Sequence, residues 1–136
     1  MCNNSLIYLV TPTLASILAD GILPLSTIAR RRSYAIQQSN DSILLNAPGY
    51  YKVSLNITFT APEAGDVTVE LRQDGVAVPG ATATETITTA TTEVRTISFD
   101  AIVRVPCCGA PSTLTFVNTG VAISSSNIAV NVEYLD

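Results

Sequence analysis

Tyr50-Tyr51-Lys52-Val53-Ser54-Leu55-Asn56-Ile57-Thr58-Phe59-Thr60 is the stretch on which the fold turns. Tyr51, Val53, Leu55, Ile57 and Phe59 fall on one side, and Lys52, Ser54, Asn56, Thr58 and Thr60 on the other. Successive side chains of a strand point to opposite faces, so this alternation predicts a strand with one buried and one solvated face. The same period returns downstream. Val67, Val69 and Leu71 mark a strand over 66–73, and Ile97, Phe99, Ala101, Val103 and Val105 mark one over 93–105. Leu114 and Phe116 mark 113–118, and Ile128, Val130, Val132 and Tyr134 mark 127–135, with Asn131 and Glu133 turned outward.

The breaks between these runs are equally informative. Asp74-Gly75 stands between two alternating segments, the signature of a tight hairpin whose two central residues take positive φ. Pro79-Gly80 predicts the end of the returning strand at Val78. Residues 81–92 are then mostly Thr and Ala, extended by propensity but with only Ile87 to pin a register. Upstream, Leu6-Ile7-Tyr8-Leu9-Val10 and Ile43-Leu44-Leu45 are apolar on both faces, and Ile22-Leu23-Pro24-Leu25 carries a proline suited to an edge or bulge. Only Leu14–Leu18 could start a helix, and it is short. An antiparallel sheet normally leaves one face to water. A strand apolar on both faces therefore predicts that its second face meets another copy of the chain.

Seven to ten short strands punctuated by turns define an all-β, two-sheet antiparallel jelly-roll sandwich. A length of 136 residues suits one domain, with an N-terminal strand or arm in 1–20 and a body in 21–136. Hydrophobic residues make up 47% and charged residues 13%, so the composition is that of a folded chain with an uncharged surface. The net charge of −4 argues against nucleic acid as a partner. No stretch of about 20 apolar residues predicts a membrane helix. Residues 5–29 lack a basic leading region, contain Pro12 and Asp20-Gly21, and precede Arg30-Arg31-Arg32, so they do not read as an export signal. The initial Met fits a chain not cleaved for export.

Chemistry is sparse. There is no His, and Lys52 is the only lysine, which removes His-based triads, His-rich zinc sites and histidine switches. Cys2, Cys107 and Cys108 fit neither a disulfide framework nor a four-ligand zinc site, and the adjacent pair reads as small residues in a Pro- and Gly-flanked loop. Glu63 and Asp66 read as solvated turn residues, and no Asp-x-Asp-x-Asp spacing or nucleotide-binding glycine motif occurs. No catalytic, cofactor-binding or metal-ligating set is assigned, and an enzyme is the least supported class. Tyr134 is placed inward, at the core or a subunit interface, and Leu6, Tyr8, Val10 and Tyr134 are the residues expected at an interface between copies. Arg30, Arg31 and Arg32 are either an exposed edge or loop, or a docking site for an acidic partner.

Two passages resemble a known family. Ile43-Leu44-Leu45-Asn46-Ala47-Pro48-Gly49-Tyr50-Tyr51-Lys52-Val53-Ser54 is an apolar run, a Pro-Gly turn and Gly-Tyr-x-x-Val on a strand. With Val69-Glu70-Leu71-Arg72-Gln73-Asp74-Gly75-Val76-Ala77-Val78-Pro79-Gly80, it resembles the C1q/TNF-like jelly roll. Domains of this kind form the C-terminal heads of bacterial and phage collagen-like proteins and occur in phage fibre and decoration proteins. The similarity spans roughly residues 20–136 and lies in turns and apolar spacing. It implies a homotrimer, with the first and last strands on an inner sheet near the three-fold axis. Collagen-like Gly-X-Y repeats are absent, which favours a free-standing virion head over a spore-surface (exosporium-type) filament. The implied role is a non-enzymatic virion structural protein, a capsid decoration or head-fibre protein. Its partners would be its own copies and the major capsid or another virion protein, on a virion surface assembled in the host cytoplasm. A module gripping a host-surface glycan or protein through loops 61–66, 79–92 and 106–112 is the alternative.

Overall fold

The computed structural model describes residues 6–11, 17–25, 27–32, 36–39, 41–107 and 111–135. Ten strands occur among them: β1 (Leu6–Thr11), β2 (Thr27–Arg32), β3 (Ile36–Ser39), β4 (Ser42–Leu45), β5 (Gly49–Thr60), β6 (Gly65–Gln73), β7 (Val76–Ile87), β8 (Arg95–Val105), β9 (Ser112–Asn118) and β10 (Ser125–Tyr134). They form two five-stranded antiparallel sheets, ordered β2-β1-β10-β5-β8 and β3-β4-β9-β6-β7. The first and last strands lie side by side in the first sheet, Ile7 opposite Val132 and Leu9 opposite Val130.

The alternating residues do what their period demands. Tyr51, Val53, Leu55, Ile57 and Phe59 of β5 are all buried, as are Ile128, Val130 and Val132 of β10. From the second sheet Val67, Val69, Leu71, Leu114 and Phe116 meet them, so the core is the space between the two inner faces. Phe99 and Phe116 touch across it at 6.1 Å between ring centroids. At the hairpin, Asp74 and Gly75 have φ of 52° and 85°, the two positive values that a tight antiparallel connection requires.

Pro79-Gly80 does not end the strand, contrary to expectation. Gly80, at φ 80°, and a register shift between Glu70 and Arg72 place an irregularity there, and β7 continues to Ile87. Ala81 and Ile87 are buried beneath it, while a Thr68–Thr84 hydroxyl contact of 2.8 Å and a Thr86–Asp66 hydrogen bond hold the register from outside. Small residues that looked uninformative thus serve a close-packed edge strand. Residues 14–16 of the short helix expectation lie outside the described residues; Ile17 makes an isolated bridge with Ile123. The proline segment extends along β9, with Leu23 N–H donating to the Phe116 carbonyl at 2.8 Å and Leu23 and Leu25 buried.

Candidate functional site: the outward face of the first sheet

β1 divides its apolar residues between two faces. Ile7 and Leu9 enter the core, while Leu6 and Val10 are half-buried and Tyr8 is 37% exposed on the opposite side. β2 pairs beside it, with Arg32 opposite Leu6, Arg31 opposite Ile7 and Arg30 opposite Tyr8; the register then slips, bringing Ile28 (37% exposed) opposite Leu9. The arginines therefore lie on an edge strand next to the residues expected at an interface. Arg30 and Arg31 are exposed.

Tyr134 is placed apart from that group. It sits in the same phase as Val132, and its ring meets Tyr51 edge-on at 5.1 Å while its hydroxyl donates to the Pro48 carbonyl at 3.0 Å. Tyr51 in turn donates to the Ala47 carbonyl at 2.5 Å, and burial holds its phenol above the ordinary tyrosine value. The pair closes one end of the sandwich, with Tyr134 partly exposed. Gly49, at φ 139°, lies under the Tyr134 ring, where a Cβ would stand 2.6 Å from it.

Across the first sheet, strand register assembles rows that no local pattern reveals. One row reads Arg30, Tyr8, Asn131, Ser54, Asp100. Beside it, Val10, Ala129, Asn56 and Ser98 form another. Because Ser54, Ser98 and Ala129 are small, the face is hollowed there into an open depression of about 360 Å³, bordered by Tyr8, Asn131 and Asp100. The Asn131 Oδ1 is sealed from solvent and has no hydrogen-bond partner among the described residues. Read singly, these polar residues are solvent-facing alternates; their convergence depends on which strands pair.

The nominated loops are revised. Residues 65–66 and 79–87 are strand, leaving 61–64 and 88–94 as connections at one end of the sandwich. In 88–94, Glu93 accepts the Thr88 hydroxyl (2.7 Å) and Arg95 Nε (2.7 Å), as well as the Thr88 and Thr89 N–H groups, which lowers its carboxyl to about 2. This cap, with Thr91 at φ 65°, explains why β8 starts at Arg95 and not at Glu93. At the other end Cys107 is exposed, and Cys108 lies outside the described residues. Among the described residues no three His, Cys, Asp or Glu side chains gather as a metal site, and no helix is long and apolar enough to cross a membrane.

Two five-stranded antiparallel sheets with the first and last strands paired at the centre of one of them make this a C1q/TNF-like jelly roll. Solved structures agree. The chain is similar to the globular domain of zebrafish complement 1qA (TM-score 0.72, 7% identity, 97% of this chain and 98% of that one). It is also similar to murine APRIL (TM-score 0.68, 8% identity, 98% and 100%) and to the PRD1 vertex protein P5 (TM-score 0.58, 15% identity, 97% and 97%). No protein-family model matches the chain, and no curated protein matches it in sequence.

Proposed function

We propose that this chain is a non-enzymatic structural protein of a bacteriophage virion, a trimeric capsid decoration or head-fibre protein. The observation that carries the reading is the second face of β1: Leu6, Tyr8 and Val10 lie outside the core of their own subunit, on a sheet that the C1q/TNF-like fold turns toward sister copies. Covering them between three copies would remove apolar area from water at about 25 cal/mol per Å². The low-charge Thr, Ser and Asn surface would remain outside. The likeness to a PRD1 vertex protein supports a virion setting over a spore filament. Attachment would fall to one end of the trimer, with Arg31 and Arg32 near the N-terminal strand as candidates for an acidic capsid surface.

Purified particles test the reading. The protein should co-purify with intact virions at a stoichiometry divisible by three and appear in cryo-EM maps as a three-fold external knob. Its absence from washed particles would contradict the role. The alternative, a module for host-surface glycan or protein, draws on the Glu93-capped loop, which presents Ala90, Thr91 and Thr92 on a braced frame. Glycan-array binding abolished by substitutions in 88–94 would favour it.

A further inference from the structure

We propose that the depression on the outward face of the first sheet is a socket for a guanidinium group, filled by Arg30 of a neighbouring copy. The proposal rests on the trimeric reading above and names the contact that would join one copy to the next. Within a chain, Arg30 and Asp100 stand at opposite ends of one row, four strand spacings or roughly 19 Å apart. That exceeds the screening length of about 8 Å at physiological salt, so they cannot serve each other. Asp100 is exposed and forms no ion pair among the described residues, whose two salt bridges are Glu70–Arg72 and Glu93–Arg95. Arg30 is exposed and, among the described residues, donates only to the neighbouring Ala29 carbonyl.

The socket offers what a guanidinium recognises. Asp100 supplies a carboxylate, the Tyr8 ring a face for stacking, and Ser54 a hydroxyl. Asn131 supplies a carbonyl that has no donor among the described residues; the terminal amide torsion of asparagine is soft, and turning it toward the depression would give Oδ1 an N–H from the guanidinium. A volume of about 360 Å³ over small residues leaves room for a long side chain. Because Arg30 and Asp100 lie at opposite margins of the sheet, a contact between them is head-to-tail, and such contacts form a closed ring where the rotation from copy to copy closes.

Wild-type sedimentation comes first: a monomer would remove the underlying trimeric reading. Given a wild-type trimer, Arg30→Asp and Asp100→Arg should each weaken association at least tenfold, and the two together in one chain should restore it to within about threefold. Both single variants associating like wild type would overturn the socket while leaving the trimer standing. Asp100→Asn, with folding followed by circular dichroism, repeats the test with a milder change and should also weaken assembly.

Discussion

Asn118 shows how a single side chain fixes a connection in this domain. It is fully buried, donating Nδ2 to the Val121 carbonyl at 2.8 Å and accepting the Gly120 N–H at 3.1 Å. Asn118→Ala strands both backbone groups and should lower stability by about 2–3 kcal/mol in chemical denaturation. Gly120 lies so close beneath β6 that a Cβ would stand 2.2 Å from the Asp66 carbonyl oxygen. Backbone cannot yield as a side-chain tip can, so Gly120→Ala should cost about 3 kcal/mol or more. Glu93 has a pH signature. Its folded carboxyl, at about 2, lies below the ordinary 4.5, so the cap is fully present above 4.5 and is lost as pH falls through 2. Glu93→Gln should abolish any change in the 88–94 loop over that range and speed exchange of the Thr88 and Thr89 amides at neutral pH; unchanged exchange would contradict the cap.

Strands and hairpins were largely legible in the sequence because period two is a local signal. β5, β6, β8, β9 and β10 fall within a few residues of their expected bounds, and the Asp74-Gly75 turn has the expected positive φ values. Gly75→Ala, at φ 85° with open space for a Cβ, should therefore cost about 1 kcal/mol through backbone conformation alone. β7 was misread at Pro79-Gly80 because a bulge and a strand end share the same residues in sequence; only the Ala81 and Ile87 contacts with the core distinguish them. The depression was not legible at all. Ser54, Asp100 and Asn131 meet through pairings between distant strands, and register of that kind has no local trace. Tyr134 was recognisable as apolar and inward, but the carbonyl that engages its hydroxyl was not.

For the molecule as a whole, the two sheets enclose a complete core while the first sheet leaves a partly apolar outer face. A core sealed within one chain supports folding, and on the trimeric reading proposed above the uncovered face would support assembly, so the two properties should be separable. Tyr8→Asp, on the exposed side of β1, should accordingly leave the fold intact by circular dichroism and weaken self-association at least tenfold, whereas Leu9→Ala, in the core, should cost about 2–5 kcal/mol of folding stability. Loss of fold in the Tyr8 variant would mean that this face is needed within the subunit. The most direct measurement is sedimentation equilibrium of the purified chain at micromolar concentration. Three copies of the 14.3 kDa chain should sediment as one species that does not dissociate on moderate dilution. A mass of 14.3 kDa across that range would contradict the account.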